Sequence, residues 1–216
     1  MRSVHDLGGL DFGAVPLEDH EMETWEKRSN AVANALHQKH LATLDEQRRH
    51  VESLGDSYHK HRYFERHVLA WAQIAIDRGL LTSAELGRML ADPPDQRLAA
   101  PRRRAPASSA RPDAARPRAG APAPARFKPG DRVRVLKSEP PGHVRTPWYC
   151  RGHVGVIERI CGAFPNPEEL AYRRSGLPAT TLYRVRFRSR DLWTRYGESP
   201  ADTVDIEIYE HWLEQT

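Results

Sequence analysis

Two stretches decide the fold, Arg132-Val133-Arg134-Val135-Leu136-Lys137 and Leu182-Tyr183-Arg184-Val185-Arg186-Phe187-Arg188. Polar and apolar side chains alternate in both, so one face of each segment is apolar and the other charged, the pattern of a half-buried strand. His153-Val154-Gly155-Val156-Ile157 reads as a further short strand, and Thr203-Val204-Asp205-Ile206-Glu207-Ile208-Tyr209 alternates again. Lys128-Pro129-Gly130-Asp131 supplies a turn ahead of the first. Several short strands within about 90 residues predict a small, highly curved β-barrel of the SH3-like kind over 127–216.

Upstream the chain changes character. Pro93, Pro94, Pro101, Pro106, Pro112, Pro117, Pro122 and Pro124 stand among alanines and arginines. Proline removes a backbone donor and fixes φ, and large apolar side chains are scarce here, so 92–126 reads as an extended linker. Residues 1–91 read as an extended arm followed by a helical domain. Trp25, Ser29, Val32 and Leu36 form one stripe at helical spacing. Thr43 to Glu46 has the form of a capping box, followed by Leu44, Val51 and Leu54 on the apolar face of a short helix that ends near Gly55. Phe64, Val68, Trp71 and Ala75, flanked by His67 and Ile74, mark a third helix stopped at Gly79. Thr82 to Glu85 opens a fourth, running through Leu86 and Leu90. Gly8, Gly9, Gly13 and Pro16 make the first 20 residues irregular, a segment expected to lie on another surface. Helices first and strands second give the α+β class.

The chain has 216 residues and a mean hydropathy of −0.71. No apolar run approaches the ~20 residues that span a bilayer, and no signal-type apolar core follows the start, so a cytoplasmic protein is expected. Cys150 and Cys161 form neither a CxxC pair nor a four-ligand set, which argues against a disulfide scaffold and a structural zinc site. The formal charge is +4, yet 101–126 alone carries seven arginines and one aspartate, which leaves −2 for the rest. The basic character is thus a property of the linker, and a nucleic-acid surface on the folded parts is disfavoured. HExxH, GxSxG, GxGxxG and P-loop motifs are all missing. Most of the histidines read as surface or helix-face residues, and the cysteines as partly buried core. A helical module and a barrel without a catalytic set suggest a subunit of an enzyme.

A family resemblance then enters. His5-Asp6-Leu7-Gly8-Gly9-Leu10-Asp11-Phe12-Gly13, followed by Val15-Pro16, resembles the amino-terminal signature of nitrile hydratase beta subunits. Glu23-Thr24-Trp25-Glu26, Asp45-Glu46-Gln47-Arg48, Tyr63-Phe64-Glu65-Arg66 and Asp77-Arg78-Gly79-Leu80 resemble stretches of their helices. Phe127-Lys128-Pro129-Gly130-Asp131, Pro141-Gly142-His143-Val144-Arg145-Thr146-Pro147, Tyr149-Cys150-Arg151-Gly152 and the closing Asp205-Ile206-Glu207-Ile208-Tyr209-Glu210 continue the likeness in order. It covers nearly the whole chain except the linker.

The resemblance implies a division of labour. Nitriles are hydrated to amides at a Co(III) or Fe(III) centre, held in a cysteine claw of a partner alpha subunit with two cysteines oxidised. This chain lacks such a claw, so it is expected to bind no cofactor itself and to be inactive alone. It would work in a heterodimer or a higher heterotetramer, with no nucleic-acid or membrane partner. Two beta-subunit arginines clamp the oxidised sulfur ligands in the family, and by motif these are Arg48 and Arg145. By themselves the two would read as an exposed helix charge and a surface contact. A guanidinium suits the task because it stays charged and presents donors in a rigid fork. Tyr63 matches the first of a tyrosine pair bordering the substrate pocket, the second being Phe64 here, and Trp71 reads as core. An apolar interface is expected on the first 20 residues and on the Arg48 helix.

Three rival readings remain at this level. Val15 to Trp25 also resembles thiocyanate hydrolase, whose helical and barrel parts lie on separate chains. A metal-loading accessory protein resembles only the helical half. A barrel with an arginine-rich arm binding RNA or DNA would show affinity falling steeply with salt.

Overall fold

The computed structural model describes residues 2–11, 13–14, 17–92 and 124–216. The linker expected at 92–126 therefore lies, from 93 to 123, outside the described residues. Helices occupy the first part and an antiparallel sheet the last, so the α+β class holds.

Four helices precede the linker: α1 (Thr24–Gln38), α2 (Leu44–Glu52), α3 (Tyr63–Asp77) and α4 (Ser83–Ala91). Thr43 caps α2 by accepting from the Glu46 amide at 3.0 Å. The second half of the expected capping box does not form, because the Glu46 carboxylate turns inward and accepts from Arg78 Nη2 at 2.7 and 3.0 Å. Around Thr82 the box is complete, and Gly79, at φ +65°, ends α3 as its sequence predicts. The apolar stripes are rotated from those expected. Trp71 and Ile74 bury with Ala42 against Ala33, Leu36 and Leu41, while Val32, Val68 and Leu90 face outward. Polar side chains take their place in the interior: Glu46, Gln47 and His50 are all buried on α2.

The second half carries β1 (Arg132–Val135), β2 (Val154–Phe164), α5 (Pro167–Leu170), β3 (Thr180–Arg188), α6 (Ser189–Leu192), β4 (Thr203–Tyr209) and β5 (Leu213–Gln215). The strand order is β4-β3-β2-β1-β5, all antiparallel. Among the described residues β4 and β5 do not pair, so the sheet does not close on itself and the expected SH3-like barrel is not confirmed. β2 runs to Phe164, well past the expected end at Ile157. Its register against β3 shifts between Ile157 and Arg159 and again between Ile160 and Gly162, and such bulges interrupt the alternation that made the strand visible. Val133, Val135, Ile157, Tyr183, Val185, Phe187 and Ile208 line the core of this half, with Cys150 fully buried beside them. Buried Tyr183 donates its hydroxyl to Glu210 at 2.5 Å and accepts from the Phe127 amide at 3.3 Å, so its polar tip is satisfied.

The arm and α2 tie the halves together. Asp6 accepts from the Trp148 amide at 2.6 Å. Gly8 lies so close to the Tyr149 ring that a Cβ there would run into it. Asp6, Gly8 and Gly9 thus lie in a turning stretch of the arm that packs on the chain's own second half. Thr43 donates to the Leu170 carbonyl at 3.1 Å, and Arg49 Nε donates to the Ala171 carbonyl at 2.8 Å. Among the described residues no helix is long and apolar enough to cross a membrane.

Candidate functional site

Asp45, Arg48 and Glu52 are spaced along one face of α2, at intervals of three and four. Facing them is the loop 136–147, which carries His143 and Arg145. Gly142 starts its inward turn at φ +93°, where an added Cβ would also strike the Tyr172 hydroxyl, so only glycine fits. Arg151 fastens the far end, donating from Nε and Nη2 to the Thr146 carbonyl at 3.2 and 2.8 Å and from Nη1 to Ser138 O at 2.9 Å.

His143 is the hinge pin of the arrangement. Its side chain is fully buried, with Nδ1 2.7 Å from Glu52 Oε2 and Nε2 3.7 Å from Asp45 Oδ1. Burial opposes its charge, but Asp45 and Glu52 outweigh that and raise its pKa above the ordinary histidine value of 6.5. Burial would likewise raise Asp45, yet His143, Arg48 and Arg145 together hold its carboxyl below the usual aspartate range. Glu52 is also approached by His5, 3.6 Å away.

Arg48 and Arg145 both act on the charge of Asp45. Arg48 Nη1 donates to Asp45 Oδ1 at 3.3 Å, and its side chain remains 38% exposed. Arg145 makes no hydrogen bond among the described residues. Burial and the neighbouring Arg48 charge lower its pKa, while Asp45, Glu52 and Tyr209 act the other way. Arg48 is engaged by one contact to Asp45 and Arg145 by no hydrogen bond among the described residues, so the two guanidiniums keep unused, rigid N–H donors. Such a cluster is built to receive an anionic oxygen.

Tyr63 makes no hydrogen bond or cation–π contact with either arginine among the described residues. Its ring is 5.1 Å from Phe64 and 4.5 Å from His67. It is 64% exposed and borders a cleft of about 180 Å³ between α1, α2 and α3. Among the described residues no group of three or more His, Cys, Asp or Glu is placed to hold a metal ion.

The N-terminal model of the nitrile hydratase beta subunit matches residues 1–117, and the C-terminal model of the same subunit matches 116–215. The chain belongs to the nitrile hydratase beta subunit family. Nitrile hydratase subunit beta of Pseudomonas putida is 29% identical over 228 residues, covering 99% of each chain. That of Pseudomonas chlororaphis is 30% identical over 229 residues, covering all of this chain and 96% of its own. Thiocyanate hydrolase subunit alpha of Thiobacillus thioparus is 33% identical over 97 residues, 44% of this chain and 76% of that one. Arg48 falls in the nitrile hydratase N-terminal match and Arg145 in the C-terminal one, so the paired guanidiniums are assembled from both halves.

Residue type alone does not set His143 or its two carboxylates apart in this nitrile hydratase-family sequence, in which most histidines read as surface or helix-face residues; His143 is buried on a loop and His50 on α2. The available signal was the spacing Asp45, Arg48, Glu52 on one helical face, which has no apolar member and still packs inward. Gln47, buried and bonded to His37 and His67, was equally silent.

Proposed function

We propose that this chain is the beta, non-metal-binding subunit of a nitrile hydratase, in which Arg48 and Arg145 clamp the oxidised cysteine ligands of a metal held by an alpha subunit. The carrying observation is that two partly free guanidiniums, Arg48 in contact with Asp45 and Arg145 on the facing loop, both act on the charge of one carboxylate. Oxygens on oxidised thiolates are anionic acceptors, and the donor set of this cluster fits them. When bound, the partner's Co(III) or Fe(III) supplies the Lewis acid for hydration of a nitrile to an amide.

Within that frame the chain's own residues position and shield. Asp45 fixes the Arg48 fork, and His143 ties the Arg145 loop to α2, so the distance between the guanidiniums is set before a partner arrives. Tyr63 borders the cleft assigned to the substrate's carbon substituent. The helical half buries few apolar groups yet exposes Val32, Val68, Leu69, Leu80, Met89 and Leu90, a surface that an alpha subunit would cover. The chain alone is then inactive.

The likeness of 97 residues, 44% of the chain, to thiocyanate hydrolase subunit alpha supports a second reading, hydrolysis of thiocyanate by a related assembly. Co-expression with a cysteine-claw alpha subunit, metal analysis and assay on simple nitriles and on thiocyanate separate the two. Nitrile turnover by the complex and none by the isolated chain is expected. Stoichiometric cobalt or iron in the isolated chain would overturn the assignment.

A further inference from the structure

The cleft beside Tyr63 is backed by a chain of three side chains whose hydrogen bonds fix what it offers a guest. Ala33, Leu44, Tyr63, Phe64 and Trp71 border it together with His67. Ser29, Asn30 and Asn34 also reach it from α1, and each bonds within its own helix. The chain begins at His37, whose Nδ1 is 3.1 Å from the Ala42 carbonyl. A carbonyl oxygen only accepts, so Nδ1 carries the proton. No carboxylate pairs with His37 among the described residues, and an ordinary imidazole is neutral at about pH 8, so its Nε2 is left as an acceptor. The Gln47 carboxamide, buried on α2, spans the next gap, 2.7 Å from His37 Nε2 and 2.9 Å from His67 Nδ1. Its two ends have nearly the same shape and are told apart by the bonds they make. An N–H of the amide faces His37 Nε2, which turns the carbonyl to His67 Nδ1 and places the His67 proton there. Burial, followed by the charge of Arg66 and by His37, lowers the His67 pKa, so the ring is neutral near pH 7 and Nε2 keeps a bare lone pair. Nε2 has no hydrogen-bond partner among the described residues and is not one of the sealed, unpaired polar atoms. The cleft thus presents one oriented, uncharged acceptor. Its volume is about 180 Å³. An apolar cavity of roughly 150 Å³ accommodates benzene, so a single ring is the natural size of the guest.

We propose that His67 Nε2, held as an acceptor through Gln47 and His37, determines specificity by selecting nitriles whose substituent is no larger than one substituted ring and carries an uncharged hydrogen-bond donor, a hydroxyl or an amino group. The inference rests on the reading of this cleft as the substrate pocket of a nitrile hydratase. A guest with a donor satisfies the lone pair, whereas a guest without one strips water from it and leaves it unpaired. Gln47 and Arg48 are neighbours on α2, so the helix that presents one guanidinium also sets the acceptor.

The proton position is read first, from the nitrogen-15 resonances of histidine in the full chain at about pH 8. His67 should carry its proton on Nδ1, and a proton on Nε2 would overturn the selection. The selection itself is read in the assembled complex at the same pH, with two pairs of nearly equal shape. These are 4-aminobenzonitrile against 4-methylbenzonitrile, and 3-hydroxypropionitrile against butyronitrile. The change in the ratio of kcat/KM between wild type and variant is compared, because the amino and hydroxyl groups also alter the nitrile intrinsically. His67→Phe should lower the donor-to-methyl ratio about three- to tenfold in at least one pair, the size of one net hydrogen bond, through KM for the donor-bearing nitrile. His67→Gln, whose carbonyl still accepts, should recover part of it. Gln47→Met, which frees the imidazole to turn or change tautomer, should lower the ratio as well and carries the test if His67→Phe does not assemble. Unchanged ratios in both pairs, with all the nitriles turned over, would overturn the selection alone. Failure of the wild-type complex to hydrate any of them would overturn the proposed activity and the selection with it.

Discussion

His143 Nδ1 stands 2.7 Å from Glu52 Oε2, a contact between residues 91 positions apart that fastens the Arg145 loop to the helix bearing Arg48. The ring is completely enclosed, so the pair is shielded from salt and solvent. Its partner on the other side, Asp45, touches Arg48 in turn.

Replacing His143 by Gln should destabilise the protein by about 3–5 kcal/mol, the cost of leaving buried carboxylates without their cation. The pH dependence has a defined sign. The folded pKa of His143 lies above its unfolded value, so its contribution is complete below about pH 6.5 and is lost as pH rises through the folded pKa. Asp45 is depressed, so its contribution is present above about pH 4 and is lost as pH falls through the lower folded value. Urea unfolding across this range should show a decline on the alkaline side in wild type that His143→Gln removes. An identical alkaline slope in both proteins would contradict the geometry.

The Glu46–Arg78 pair gives a second test. Its carboxylate is 2% exposed and accepts twice from one nitrogen. Glu46→Ala should cost about 3–5 kcal/mol by stranding the Arg78 guanidinium, whereas Glu46→Met with Arg78→Met should cost far less. Urea midpoints of the three proteins measure the difference.

Gly142→Ala probes the loop by itself. A side chain at φ +93° is strained, and it would also collide with the Tyr172 hydroxyl. A loss of about 1–3 kcal/mol is expected. The displaced loop should carry Arg145 away from Asp45, so turnover of the assembled complex should fall more than its stability does. Wild-type turnover in this variant would show that the loop's position does not matter.

The sheet was legible where alternation was regular. β1, β3 and β4 stand where their period-two patterns put them, since each has one face on the core. β5 has three residues and no pattern to read, and the bulges in β2 hid more than half of its length. Open or closed ends of a sheet depend on pairing between distant strands, which local alternation does not report. In the helical half the ends were readable from Thr43, Gly79 and Thr82, but the buried faces were not. Glu46, Gln47 and His50 bury through ion pairs and hydrogen bonds, so hydrophobic periodicity alone turned the stripes toward Val32 and Val68. Arg48 and Arg145 could be picked out by motif, whereas their common neighbour Asp45 and the enclosed His143 emerge only once residues nearly a hundred positions apart are brought together.

The most direct measurement is kcat for nitrile hydration by complexes carrying Arg48→Lys or Arg145→Lys, with metal content and subunit association matched to wild type. Lysine keeps the positive charge but loses the rigid fork, so a clamp on two ligand oxygens should fail: each variant should assemble, hold its metal and lose about 10²-fold or more in kcat, in the range of removing one preorganised donor. Wild-type turnover in both variants would contradict the clamp.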